Sequence, residues 1–309
     1  MQNTRFLNQN GSQPDTLAHG TAADGTIRCI AAVTTNTVKE AAERHKTAPT
    51  ATAALGRTLT GALLLGATYK DFDRLTVKID GDGLIDTIVA EANPRGGVRG
   101  YVDNPAADVP LNAQGKFDVR GVVGSGFFYV IREQGYDIGL YKEPYRGSVP
   151  IVSGEIGEDF AYYLLKSEQL PSAVMLGVLV NPARDEVLAA GGVIIQMMPG
   201  APENTITEIE RAILESPSTT ALISEGARPA DLLKFALGNV DFEILEEKPI
   251  GFECTCSRER VIRIISSIDR PEVESMLRED KGAVLHCHFC NSEYRLSEED
   301  LEKILEERD

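Results

Sequence analysis

The sequence predicts an α+β chain in three consecutive parts, on three observations. Strand and helix patterns alternate irregularly up to about residue 198. Beyond it, prolines 199, 202, 217, 229 and 249 punctuate short amphipathic segments. Four of the five cysteines then fall within 37 positions, from Cys254 to Cys290. The expected division is a mixed sheet-and-helix core domain over 13–198, a metastable helical linker over 199–250, and a small cysteine-bearing module over 251–309.

Within the core, the first dozen residues are polar and read as a frayed end. TIRCIAAVT (26–34) predicts a strand, in which the lone Cys29 reads as a small buried core residue. Residues 35–46 predict a helix with Val38, Ala41, Ala42 and His45 on one face. Pro49 opens a second helix, TATAALGRTLTGALLLGA, whose Gly56, Gly61 and Gly66 suggest that another backbone approaches closely.

LTVKID, LIDTIVAEA and VRGYV then alternate with the turns GDG and NPRGG, a hairpin pattern. Neither turn leads into a helix bearing the Lys-Ser/Thr of a phosphate loop, so that reading is rejected. Residues 126–132 and 136–142 predict two more strands. Ser153 reads as the cap of a helix, GEIGEDFAYYLLKSEQL, with Glu155, Glu158 and Asp159 in its first turns, where carboxylates suit the helix dipole. SAVMLGVLV (172–180) and VLAAGGVIIQM (187–197) are apolar enough to predict strands buried on both faces.

In the linker, Ile206, Ile209, Ile213 and Leu214 form one apolar stripe, and Leu232, Leu233, Phe235 and Leu237 another. Helices this short do not stand alone in water, so they must dock on a neighbour.

Composition narrows the function. Apolar content of 42% and charged content of 25% describe a globular protein, and no apolar run is long enough to cross a membrane. The start of the chain lacks an apolar signal segment, so with clustered thiols the cytoplasm is the expected compartment. A net charge of −16 argues against a nucleic-acid partner, and residues 251–309 alone hold fifteen acidic against nine basic side chains.

Cys254-Thr255-Cys256 and Cys287-His288-Phe289-Cys290 have the paired spacing of a four-sulfur zinc site. Residues 257–280, read as two helical segments split at Pro271, return the chain to the second pair. His286 and His288 flank Cys287, but four sulfurs already complete a tetrahedron, so both are expected at the surface or in a supporting hydrogen bond. Ligand sulfurs ~2.3 Å from zinc lie about 3.8 Å apart, and a disulfide of ~2.05 Å needs each local pair to close by less than ~2 Å.

This cysteine arrangement resembles that of the redox-regulated heat-shock chaperones of about thirty-three kilodaltons, a bacterial holdase family. TAALGRTLTGALLLGA, the GDG turn before LIDTIVAEA, GEIGEDFAYYLL, AGGVIIQMMPGA and LHCHFCN agree with it, over about residues 15–305. The resemblance implies an ATP-independent, non-enzymatic chaperone, held inactive by one Zn²⁺ per chain on Cys254, Cys256, Cys287 and Cys290. It implies that oxidants under unfolding conditions release the zinc and form two local disulfides, 254–256 and 287–290. The linker then unfolds, and homodimers bind unfolding client proteins. Local bridges tie nothing across the module, so exchanging metal for them should melt it.

Two other readings are weaker. A thiol–disulfide oxidoreductase using Cys287 and Cys290 would want a thioredoxin-like βαβ unit, which the sequence lacks. A zinc-ribbon nucleic-acid binder is disfavoured by charge.

Overall fold

The computed structural model describes residues 13–135, 143–181 and 183–307. The polar first dozen residues and the strand expected at 136–142 lie outside the described residues. The chain forms two compact units, residues 1–253 and 254–309.

In the first unit a long helix is held between two sheets. It opens with β1 (Thr16–Ala22) and β2 (Ile27–Val33), joined by a single 3-10 turn, followed by α1 (Thr35–His45). Then comes α2 (Pro49–Gly66), in which every residue except Pro49 and Arg57 is buried. An all-round apolar and small-residue helix can only sit this way. Gly56 and Gly61 do not admit a backbone, as expected from sequence, but side chains. A Cβ on Gly56 would meet Val38 Cγ1 at 2.6 Å, and one on Gly61 would meet the Phe160 ring at 2.3 Å.

One face of α2 meets a six-stranded sheet. Its strands are β3 (Arg74–Gly81), β4 (Thr87–Ala92), β5 (Gly97–Val102), β6 (Gly126–Glu133), β7 (Tyr145–Pro150) and β11 (Gly251–Phe252), in the order β11-β5-β4-β3-β6-β7. The short helix α3 (Val119–Val123) separates β5 from β6.

Before the second sheet comes α4 (Gly157–Lys166), which starts four residues after the expected cap. The buried Asp159 carboxylate accepts hydrogen bonds from the amides of Val152, Ser153, Gly154 and Ile156. Those four bonds hold 152–156 as a loop and outweigh capping by Ser153, whose hydroxyl instead accepts from the Glu155 amide.

The second sheet is antiparallel, with β8 (Ser172–Asn181), β9 (Glu186–Met197) and β10 (Phe242–Pro249) in the order β10-β1-β2-β9-β8, and β8 and β9 also lie against α2. β9 is buried as expected, but β8 is the edge strand, so most of its residues are only half-buried.

Segment 199–250 contains α5 (Glu203–Glu215), α6 (Thr219–Ser224) and α7 (Pro229–Leu237). It does not stay helical up to the cysteines. Residues Phe242–Pro249 form β10, antiparallel to β1 along its length. Phe242 and Ile244 pack on one side of the sheet while Glu243 faces away, a period of two that the proline-rich reading overrode.

The helices cover the face of this sheet opposite α2. Ile209, Leu222, Leu232, Leu233, Ala236 and Leu237 join Ala18, Ile27, Cys29, Ala31, Val193 and Ile195 in one buried cluster. Ile206 and Ile213 are half-buried, whereas Leu214 is 85% exposed and Phe235 43%, so both lie outside the stripes expected of them.

The second unit contains α8 (Arg258–Ile265), α9 (Arg270–Ser275), β12 (Gly282–His286), β13 (Glu293–Ser297) and α10 (Glu298–Glu306). Pro271 stands in the first turn of α9, where its missing N–H costs nothing. The apolar core here is small: Val261, Ile265, Val273, Leu296, Leu301 and Ile304.

Candidate metal centre

Two local turns build the site. Cys254 and Cys256 lie in the short segment between β11 and α8, whose first turn is capped by the Ser257 hydroxyl accepting from the Arg260 amide. Cys287 and Cys290 lie in the turn joining β12 to β13, closed by the Asn291 amide donating to the Cys287 carbonyl at 2.7 Å. Asn291 has φ 55°, the left-handed conformation that Asn tolerates better than most residues and that turns the chain back into β13.

The four Sγ atoms all lie within 4.8 Å of one another. Cys254 Sγ is 3.7 Å from Cys287 Sγ, and Cys256 Sγ is 3.2 Å from Cys290 Sγ. Those spacings are near the ~3.8 Å edge of a tetrahedron of sulfurs around zinc, so the donor set fits a four-coordinate thiophilic metal ion. Both of these approaches run between the two cysteine pairs. His286 and His288 are exposed, outside the sulfur cluster. Cys29 belongs to the first unit, buried under the linker helices.

Two side chains not singled out in the sequence complete the surroundings. The Tyr294 hydroxyl donates to Cys256 Sγ at 3.0 Å, and Ser292 Oγ lies 3.2 Å from Cys290 Sγ. Both come from the strand side of the second turn, two residues apart and on one face of the chain. Four thiolates around a divalent ion leave two excess negative charges, which such donors spread.

In the metal-free thiol state the acidities diverge. Burial pushes the Cys256 thiol up to about 12, and also raises Cys287. Burial raises Cys290 too, but hydrogen bonds from the Ser292 side chain and backbone and from neighbouring thiols outweigh it, leaving about 7.

Residues 15–297 match the Hsp33 protein family. The chain belongs to the Hsp33 family. Among Hsp33 relatives, the 33 kDa chaperonins of Staphylococcus aureus strains JH9 and Newman are each 48% identical over 293 residues, covering 94% of this chain and 98% of theirs. The crystal structure of the 33 kDa chaperonin (heat shock protein 33 homolog) of Thermotoga maritima superposes with a TM-score of 0.87 at 37% identity. It covers 96% of this chain and 99% of that one. The α+β architecture is thus that of an Hsp33 fold. No helix of the described residues is long and apolar enough to cross a membrane.

Proposed function

We propose that this protein is a redox-switched, ATP-independent holdase chaperone of the cytoplasm, a binding protein and not an enzyme. The observation that carries the reading is a four-thiol cluster in a unit with only a small apolar core. Family membership and the chaperonin names of its relatives support the chaperone part.

Cys254, Cys256, Cys287 and Cys290 hold one Zn²⁺ in the reduced state. Zinc bound there supplies the closure that the apolar core lacks, on the order of 10–16 kcal/mol of apparent binding free energy. Tyr294 and Ser292 orient the sulfurs and steady their charge. On oxidation each thiolate pair gives up two electrons to one peroxide, which takes two protons from solvent and leaves as two waters, and one S–S bond forms. Pairing 254–256 and 287–290 closes only very short loops, so it restricts the unfolded chain little and does not replace the lost closure.

The module over 251–309 then melts, and the linker over 199–250 loses the folded element that follows it in the chain. α5 and α6 each bury a single side chain, Ile209 and Leu222, and only α7 is more firmly seated, so the docking of these helices on the 13–198 core is the next contact to fail. The apolar sheet face and the helix stripes become available to unfolding clients, and homodimers present two such faces.

The test is suppression of light scattering by a thermally unfolding client, with this protein reduced and zinc-loaded or peroxide-oxidised, and no nucleotide present. Suppression by the oxidised form alone is expected. Equal suppression by both forms would remove the switch. Peptide mapping should find 254–256 and 287–290; a majority of 256–290 bridges, which the 3.2 Å approach also permits, would retain closure across the module and defeat the melting step.

A further inference from the structure

The sheet face beneath the linker carries sulfur that the cysteine chemistry does not use. Met175 on β8 and Met197 on β9 are half-buried and pack against the cluster formed by the sheet and the linker helices. Their placement follows from the register. Met175 stands opposite Val193 and Met197 opposite Ile27, both buried members of that cluster. Of the five methionines in the chain, Met276 packs instead in the core of the second unit. Cys29, also in the covered cluster, is fully buried, and burial pushes its thiol up to about 12, so it is shielded while the helices stay docked. The two thioethers are not shielded in that way.

We propose that Met175 and Met197 form a second oxidation site, separate from the four cysteines, at which conversion to sulfoxide by peroxide loosens the linker from the sheet. In the step the thioether lone pair attacks a peroxide oxygen. An S–O bond forms, the O–O bond breaks, and the departing hydroxide takes the remaining proton to leave as water. Sulfur is oxidised by two electrons and peroxide reduced by two.

A thioether is content among Ile27, Ala173, Val193 and Ile195, whereas a sulfoxide oxygen there wants a hydrogen-bond donor. The amides of β9 are engaged in the ladders to β2 and β8, and those of β8 that face β9 are engaged likewise. The open state, in which water hydrates the sulfoxide, gains relative to the docked one. Thiol reductants restore cysteines but not methionines, which need a methionine sulfoxide reductase. The chemistry therefore leaves a record that outlasts thiol re-reduction.

This rests on the linker being the cover over the client-binding face. The experiment uses the full chain. It is oxidised with hydrogen peroxide, then treated with dithiothreitol and zinc to restore the four thiolates, with mass spectrometry reading sulfoxide at each methionine. Amide exchange in 203–237 should be about tenfold faster than before oxidation, the factor produced by an energy the size of one lost hydrogen bond. Part of the suppression of client aggregation should persist. Treatment with methionine sulfoxide reductases A and B should abolish both effects, and the double variant M175L/M197L should show neither.

Absence of sulfoxide at Met175 and Met197, or persistent activity that the reductases leave untouched, would overturn the proposal. Comparing one wild-type sample before and after the reductases needs no variant to fold. An aliquot assayed before dithiothreitol separates the two readings. Inactivity there counts against the switch itself, while activity there and silence after re-reduction removes only the methionine site.

Discussion

Tyr294 contributes one hydroxyl, and its loss isolates that contribution. Tyr294→Phe keeps the ring and removes the donor to Cys256, so metal affinity should fall about 10–100-fold, the usual effect of a lost supporting hydrogen bond. Competition with a chromophoric chelator measures it, and an unchanged affinity would mean that the thiolates need no help. Away from the site, Gly61→Ala drives a methyl into the Phe160 ring and should cost about 1–3 kcal/mol in denaturant titration. Adding Phe160→Leu should recover part of that loss. The four cysteines were legible because thiols are rare and their spacing is diagnostic. Tyr294 and Ser292 were not, since a tyrosine or serine in a polar strand has many ordinary explanations, and only the turn at Asn291 aims them at sulfur. Asp159 was read as a helix-dipole partner because four loop amides converging on one carboxylate is a tertiary arrangement that no local pattern announces.

Among the elements, α2, β3–β6 and α5–α7 could be read from period and punctuation, because burial on a known face dictates their patterns. The edge position of β8 could not, since an apolar run looks the same in the middle of a sheet or at its margin. β10 was hidden by Pro249 and by acidic residues suited to a solvated edge. The linker's docking can be tested apart from metal. Ile209 is fully buried against the sheet, so Ile209→Asp should undock the helices while zinc is retained. Cys29 then becomes a reporter: it should resist maleimide in the reduced wild type and label readily in the variant. The variant should also hold clients without oxidant. Labelling without holding activity would place the client site elsewhere.

For the molecule as a whole, oxidation should separate a stable body from a labile one. Amide exchange should lose protection over 203–237 and 254–307 together, while α2 and β9, buried between or within the sheets, stay protected. Loss of protection throughout would describe global unfolding and not a switch. The charge of −16 favours solubility of a loaded complex, as does its spread over both units, and holding should survive at low salt. The pairing of β10 with β1 has a further consequence for timing. With β9 and β10 both fixed in one sheet, the 44 residues from Met198 to Asp241 form a closed loop on the core, not a free tail. Its contour can extend up to about 3.3–3.6 Å per residue, yet its ends never drift apart. Helices on such a tether meet their own sheet at an effective concentration on the order of millimolar. If this sheet is the face that holds clients, a client must outcompete that internal rival throughout, so restoring the second unit should favour re-docking of helices over unoxidised methionines, at a rate set by chain diffusion and helix formation.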